Sequence, residues 1–235
     1  MSLPFAIVDY RLPKEAILHL QRYADVFLFN ASDITFDAVS GHPDIFMCQV
    51  DNQLVVAPNT PQRCIDFLIE KRVNFSFGKR EVGFDVNSST LYNCLVTSKL
   101  LLHKRGFTDD VILQLGTTKR FINLSQPFAR CSLFEFGNGN FITSDRGIYK
   151  ELISNKLNAL FICADEILLP PYKNGFIGGC LGILDNKIFL SGSIEYINEG
   201  EKLLSFCNTN GYELVELYNG ALLDVGGIFM LNLKT

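Results

Sequence analysis

A histidine and a carboxylate two residues apart form the most suggestive polar pair of the sequence. His42 and Asp44 stand in the motif Gly41-His42-Pro43-Asp44, just ahead of an apolar run. If this segment is a strand, both side chains lie on one face, because strand residues alternate between faces. An imidazole and a carboxylate so placed could orient each other and move a substrate proton. The alternative is a surface turn in which the histidine is simply hydrogen-bonded.

Two cysteines and a second carboxylate are further candidates. Cys94 could bring a thiol to the same place as the imidazole, as thiol catalysis requires. Cys180 follows Gly178-Gly179, and such a glycine pair lets a ligand or another strand approach the backbone closely. Asp224, just ahead of Gly226-Gly227, could hold a cationic guanidinium or amine. Each also has a plainer interpretation, as a buried core thiol or as a turn or capping carboxylate.

Metal and cofactor chemistry are not indicated. The three histidines form no HxH or HExxH group, and the seven cysteines form no CxxC pair. The sequence therefore predicts no zinc site and no cofactor. Arg130 and Arg146 could bind a carboxylate substrate, although isolated arginines are more often surface charges.

Four segments share one pattern that would position these residues: an apolar strand, a tight polar turn and a second apolar strand. They are Ile45–Val56, Tyr92–Leu102, Cys131–Ile142 and Cys180–Leu190. Each is followed by a helix start signal, such as Asp145 at the N-cap. The predicted helices are Gln62–Arg72, Val111–Leu115, Arg146–Ser154 and Glu199–Cys207, and apolar strands follow at Val73–Phe77, Arg120–Leu124, Ala159–Cys163 and Tyr212–Leu217. Each unit is predicted as ββαβ, and the turns recur within the period range of repeat architectures.

A fifth unit is split between the two ends of the sequence. Leu222–Leu231 is apolar strand material with no helix after it, whereas Pro13–Ala24 is a helix candidate followed by a strand at Val26–Phe29. Joining both ends in one unit would close a ring of five units and leave no orphan sheet edge. The alternative is a generic mixed α+β sheet. Because no linker divides the chain, residues 1–235 are predicted to form a single domain.

A five-fold ring of ββαβ units resembles the pentein, or α/β-propeller, superfamily. That group includes arginine and agmatine deiminases, amidinotransferases, dimethylarginine hydrolases and a non-catalytic ribosome anti-association factor. Gly41–Asp44 looks like the Gly-His-x-Asp element of the guanidine-modifying branch. The segments Gly175-Phe-Ile-Gly-Gly179 and Leu223-Asp-Val-Gly-Gly227 resemble an uncharacterised bacterial pentein-like family. In guanidine-modifying penteins a nucleophilic cysteine follows a Gly-Gly pair, but here Met230 stands about where that thiol is expected, and a thioether cannot form a thiolate.

Composition favours a cytoplasmic protein. The formal net charge is −4 and no basic block occurs, which argues against nucleic-acid and anionic membrane partners. The start MSLPFAIVDY has no charged region ahead of its short apolar run, so no signal peptide is predicted. An odd number of widely spaced cysteines is typical of free thiols in a reducing compartment.

Two functions stay open at this point. The first is a pentein-like protein without catalysis that binds a small molecule or a partner in its central channel. The second is an amidinohydrolase- or amidinotransferase-type enzyme acting on a guanidino compound. It would use Cys94 or Cys180 as nucleophile, His42 for proton transfer, and Asp44 or Asp224 to hold the cation. Neither predicts an oligomeric state.

Overall fold

The computed structural model describes residues 4–231. Its strands are β1 (Phe5–Asp9), β2 (Asp25–Phe29), β3 (Met47–Val50), β4 (Gln53–Val56), β5 (Phe75–Phe77), β6 (Leu95–Val96), β7 (Leu100–His103), β8 (Arg120–Asn123), β9 (Leu133–Glu135), β10 (Asn140–Thr143), β11 (Asn158–Phe161), β12 (Ile167–Leu168), β13 (Leu181–Leu184), β14 (Lys187–Leu190), β15 (Glu213–Glu216), β16 (Leu222–Leu223) and β17 (Phe229–Leu231). Its α-helices are α1 (Lys14–Leu20), α2 (Pro43–Phe46), α3 (Gln62–Glu70), α4 (Val86–Ser89), α5 (Asp110–Leu115), α6 (Ala129–Ser132), α7 (Arg146–Ser154) and α8 (Gly200–Thr209). Short 3-10 helices lie at Asp37–Val39, Ile177–Cys180 and Ile194–Tyr196.

Four three-stranded sheets are built from consecutive strands, in the orders β3-β4-β5, β6-β7-β8, β9-β10-β11 and β13-β14-β15. In each, the middle strand runs antiparallel to the first and parallel to the third. A parallel pair needs a crossover connection, and α3, α5, α7 and α8 supply it. The four ββαβ segments predicted from the sequence are thereby confirmed.

A fifth three-stranded sheet joins the two ends of the described chain. β17 pairs antiparallel with β1, with Phe5 opposite Leu231, and β1 pairs parallel with β2 across α1. The prediction that the ends share one unit is confirmed. The middle strand, however, is β1, which the sequence analysis did not identify. The apolar strand material predicted over Leu222–Leu231 forms two separate strands, β16 and β17, because Gly226 and Gly227 turn the chain between them with φ of 67° and 78°.

Local chemistry explains why the elements form where they do. Asp51 and Asp185 occupy the hairpin turns with φ of 51° and 52°, a region that Asp tolerates better than most side chains. Asp109 and Asp145 cap α5 and α7 by accepting hydrogen bonds from the backbone N–H groups of the first turn. Helix α3 buries Cys64, Ile65 and Leu68, and each fully buried aliphatic side chain stabilises the fold by about 1.5–3 kcal/mol.

Short connecting segments precede the first strands of the sheets and carry the candidate residues. They are α2, the chain 90–94 after α4, α6, the 3-10 helix Ile177–Cys180 and the glycine turn 224–228. The interpretation of His42 and Asp44 as neighbours on one strand face is therefore wrong. His42 occupies the N-cap of α2, since Pro43 at the first helical position favours a helix start there. Among residues 4–231, no helix has the length and apolar character needed to cross a membrane.

Candidate functional site

His42 lies between two buried carboxylates. Its Nδ1 is 3.8 Å from Oδ1 of Asp224, and its Nε2 is 3.7 Å from Oδ2 of Asp9. Each of the three side chains is 1% exposed, so the cluster is sealed from solvent. Burial lowers the pKa of His42, although both carboxylates act in the opposite direction. Within the described residues Nε2 has no hydrogen-bond partner, since 3.7 Å is beyond hydrogen-bond length.

Asp9 is a member of this cluster that the sequence analysis missed. Arg11 holds its carboxylate with Nε and Nη2 at 2.9 and 2.5 Å, and the Arg11 backbone N–H donates to Oδ1 at 2.8 Å. The carboxylate packs directly on Gly41, where an added Cβ would stand 2.2 Å from Oδ1. The available signal was an acidic residue ending the apolar run that forms β1, two positions before an arginine.

Asp224 ties the two glycine-rich segments together. Its Oδ2 accepts a hydrogen bond from the Phe176 backbone N–H at 2.9 Å, and its Oδ1 accepts one from the Gly226 N–H at 3.1 Å. A Cβ on Gly179 would stand 1.8 Å from Oδ1. Burial raises the pKa of Asp224, whereas His42 and these backbone donors lower it. Two backbone N–H groups therefore hold the carboxylate in place beside the imidazole.

Asp44 is buried without a partner. Its side chain is 0% exposed, and neither carboxylate oxygen has a hydrogen-bond partner within the described part of the chain. Burial raises the pKa of Asp44 well above its usual range, and the positive charge of Arg130 only partly offsets that effect. The structure thus brings His42 and Asp224 together. Asp44 is instead under the influence of the positive charge of Arg130.

The two candidate thiols are both buried, and each has its own partner. The Sγ of Cys180 donates to the Phe176 carbonyl at 3.4 Å, and burial raises the pKa of this thiol well above its usual range. The Sγ of Cys94 lies 3.3 Å from the Sγ of Cys48, and burial together with that contact raises its pKa. Neither thiol hydrogen-bonds to His42 among the described contacts, so the structure does not assemble the thiol–imidazole pair expected from the sequence.

A cavity of about 310 Å³ is bordered by the first strand of every three-stranded sheet. Its lining includes Gln49 of β3, Val96 of β6, Glu135 of β9, Ile183 of β13 and Met230 of β17. The thiols of Cys48 and Cys94 also border it. In the described chain, His42, Asp44, Asp224 and Cys180 are not part of that lining. The accessible space is therefore separate from the sealed histidine cluster.

Arg130 is the arginine of this cavity. Its Nη1 donates to the Gly178 carbonyl at 2.8 Å, and the guanidinium lies 5.1 and 5.6 Å from the ring centres of Phe134 and Phe229. A Cβ on Gly227 would stand 2.7 Å from Nη2, so the glycine leaves the room that the guanidinium occupies. The sequence favours neither Arg130 nor Arg146 as a carboxylate ligand, because no local pattern distinguishes them.

The described residues contain no group of three or more His, Cys, Asp or Glu side chains that could hold a metal ion. The prediction that there is no metal site rests on the sequence motifs and stays a prediction.

Comparison with known proteins identifies the fold. A model of a family of unknown function (DUF6873) matches residues 7–229. No curated protein matches the sequence. Among solved structures, an amidinotransferase of the saxitoxin biosynthetic pathway from Microseira wollei superposes with a TM-score of 0.59 at 9% identity, covering 100% of this chain and 95% of that one.

Two further solved structures are similar to this chain. A cysteine-to-serine mutant of DDAH from Pseudomonas aeruginosa, complexed with citrulline, has a TM-score of 0.55 at 8% identity and 92% coverage of both chains. An agmatine deiminase from C. jejuni has a TM-score of 0.55 at 9% identity, covering 94% of this chain and 91% of that one. At such identities the likeness shows the fold, which is the mixed α/β pentein fold, and the resemblance inferred from the sequence is confirmed.

Proposed function

From the premise that the chain belongs to the family of unknown function DUF6873, we propose that it binds a small molecule in the cavity beside Arg130 and runs no thiol chemistry there. The observation that carries this proposal is the separation of the accessible cavity from the sealed His42 cluster. Catalysis needs the acid–base groups within reach of the reacting atoms. Here Met230 borders the cavity, and the resemblance to guanidine-modifying penteins implies a nucleophilic thiol at about this position of the sequence.

The same cavity supports the finer architecture that we propose, a closed ring of five ββαβ units. One strand from each three-stranded sheet contributes to a single lining. A closed ring of five units would bring one strand of each sheet to a common central space, as this lining does. The pairing of β17 with β1 completes the fifth unit from both ends of the described chain, which supports a ring without a free gap between its first and last units.

The binding proposal is tested by a ligand-detected NMR screen of a small-fragment mixture. Ile183 is partly buried and borders the cavity, so Ile183→Trp should block the space and abolish binding. Ile153 is 47% exposed on α7 and does not border the cavity, so Ile153→Trp is the matched control and should bind as the parent does. Fragments that bind equally to both variants, or no binding fragment at all, would contradict the proposal.

The second candidate is an amidinohydrolase- or amidinotransferase-type enzyme for a guanidino compound. The placement of His42 between two carboxylates favours it, because such an imidazole can transfer protons. A thiolate would add to the guanidino carbon, and the imidazolium would protonate the departing amine. Cys94 borders the cavity and Cys180 does not, while Asp44 or Asp224 would hold the cationic substrate.

The enzyme candidate is tested by incubating the protein with arginine, agmatine and methylated arginines and measuring release of ammonia, citrulline and amines. Turnover that disappears in Cys94→Ser or Cys180→Ser and in His42→Ala would establish it. The binding proposal expects no turnover above that of the buffer. Activity that survives all three substitutions would exclude the thiol mechanism.

A further inference from the structure

We propose that Arg130 is the anion site of the cavity and that the ligand is a small organic acid with an apolar body. The inference rests on the proposed binding function and gives the ligand its chemical class. It also assigns the ligand a charge opposite to that of the guanidino compounds considered above.

The donors of Arg130 are largely unused. Nη1 makes one strong hydrogen bond to the Gly178 carbonyl at 2.8 Å, and Nη2 lies 3.5 Å from the Leu181 carbonyl, which is a weak contact. In the described chain Arg130 has no ion pair, and its pKa is lowered by burial. Asp44 is the carboxyl whose charge acts most on Arg130, but no ion pair joins the two, and burial raises the pKa of Asp44 well above its usual range. A buried guanidinium with so weak a counter-charge loses favourable solvation, and a bound carboxylate would restore it.

The guanidinium is held in place by its neighbours. Its Cζ lies 5.1 and 5.6 Å from the ring centres of Phe134 and Phe229, and such cation–π contacts restrict its position. Gly227 has no side chain to displace Nη2. Arg130 also borders the cavity. The N–H groups of its guanidinium that have no hydrogen bond could therefore donate to both oxygens of a bound carboxylate.

The two carboxylates of the lining already have partners. Asp51 Oδ1 pairs with Lys119 Nζ at 2.7 Å, and Glu135 Oε1 accepts a hydrogen bond from the Gly139 N–H at 3.1 Å. In the described part of the chain, Arg130 is the cationic side chain of this lining, and Asp44, whose charge acts on it, does not border the cavity. The positive charge of Arg130 would repel a cationic ligand.

Apolar side chains form much of the remaining wall, which favours an apolar ligand body. They include Leu95, Val96, Ile183, Ile228 and Met230. The volume of about 310 Å³ is at the small end of the range for ligand sites. A single aromatic ring bearing one carboxylate fits both the chemistry and the size.

The test compares three probes of one shape by isothermal titration calorimetry: benzoate, neutral benzamide and cationic benzamidine. Benzoate should bind at least about tenfold more tightly than benzamide, and benzamidine should bind most weakly, because charge-assisted hydrogen bonds exceed neutral ones. Arg130→Gln should weaken benzoate about 10- to 100-fold. Arg146 stacks on Phe161 at 4.6 Å outside the cavity lining, so Arg146→Gln is the matched control and should keep the parent affinity.

The order of the affinities of the three probes can be measured in the unsubstituted protein. The proposal therefore stays testable if Arg130→Gln fails to fold. Benzamidine binding as tightly as benzoate, or benzoate affinity unchanged in Arg130→Gln, would overturn it. In that case the binding function would still stand if Ile183→Trp abolished probe binding. If none of the three probes binds, the anion site is wrong, and the fragment screen decides separately whether the cavity binds anything.

Discussion

At the scale of single residues, Gly226 is the position on which close packing against His42 depends. Its φ is 67°, and an added Cβ would stand 2.4 Å from the Cβ of His42. Gly106 has a similar φ of 86° with nothing within 4 Å of an added Cβ. Comparing alanine at the two positions therefore separates backbone strain from steric conflict.

We expect Gly106→Ala to cost on the order of 1 kcal/mol from the positive φ alone. Gly226→Ala should lower the free energy of unfolding by about a further 1–3 kcal/mol. The added Cβ would clash with Cα and Cβ of His42, and these atoms cannot move without moving the backbone. Urea unfolding of both variants measures the difference in the free energy of unfolding. Equal losses would show that His42 is not packed against this turn.

His103 makes the stability of the protein depend on pH. Its Nδ1 lies 2.7 Å from Thr108 Oγ1 and its Nε2 lies 2.7 Å from the Pro127 carbonyl, both inside the fold. Burial lowers the pKa of His103 to about 4. The unfolded imidazole takes up a proton below about pH 6.5, whereas the native one stays neutral until near pH 4. Stability is thus fully present above pH 6.5 and is lost as the pH falls.

Between pH 7.5 and pH 4.5 this histidine should remove about 2–3 kcal/mol from the free energy of unfolding. Buried Asp44 and Asp224, whose pKa values are raised, act in the opposite direction, so the informative quantity is a difference between variants. Urea unfolding across this range should show a smaller acid loss in His103→Gln than in the parent. Plotted against pH, the free energies of unfolding of the two proteins should differ by a constant amount above pH 7.5. If that difference stays constant down to pH 4.5, His103 is not the source of the acid loss.

At the scale of elements, β17 completes a sheet whose other strands lie at the start of the chain. It pairs with β1 through Phe5–Leu231, Ala6–Met230 and Ile7–Phe229. The side chains of β1 are buried throughout, so its loss of a partner would expose an apolar edge. A strand as short as β17 is not stable without the strand that it pairs with. The fifth unit therefore depends on segments that are far apart in sequence.

Deleting residues 224–235 removes β17 together with Asp224 and should unfold or aggregate the protein. A chain that ends at Leu231 retains β17 and is the matched control. Circular dichroism melting and size-exclusion chromatography measure the outcome. If the shorter chain gives a cooperatively melting monomer, the sheet formed by the two ends is not needed, and the ring proposal loses its main support.

At the scale of the whole molecule, the seven cysteines are free and six of them are buried. Burial raises the pKa of Cys64 and of Cys207 to about 12, which suppresses the reactive thiolate. Cys163 is the partly exposed member of the set. Free buried thiols agree with the predicted cytoplasmic location, which stays a prediction.

Titration of the native protein with a thiol reagent should therefore label Cys163 quickly and the other thiols slowly, with seven labelled after denaturation. Cys163→Ser should remove the fast phase, and peptide mass mapping identifies the labelled position. Fast labelling of Cys94 would show that the cavity admits reagents and would strengthen the enzyme candidate. Several disulfides in a non-reducing mass measurement would contradict the cytoplasmic prediction.

The sequence by itself determined the elements that depend on short-range chemistry. Hairpin turns at Asp51 and Asp185 follow from the tolerance of Asp for positive φ, and helix starts at Asp109 and Asp145 follow from capping. The repeated order of these signals was enough to predict four ββαβ units and the resemblance to penteins. The need to avoid an open sheet edge was enough to pair the two ends, although not to identify β1 as the middle strand.

The tertiary structure alone decided which side chains meet. His42 is separated from Asp9 by 33 positions and from Asp224 by 182, and no local pattern connects them. Whether Arg130 faces a cavity or the solvent depends on Gly178 and Phe229, which lie in segments remote from it in sequence. Such contacts arise when separately formed units pack together, and local propensity carries no information about their neighbours. The sequence could therefore name His42, Asp44, Cys94, Cys180 and Asp224 as candidates, but only packing could separate the sealed cluster from the open cavity.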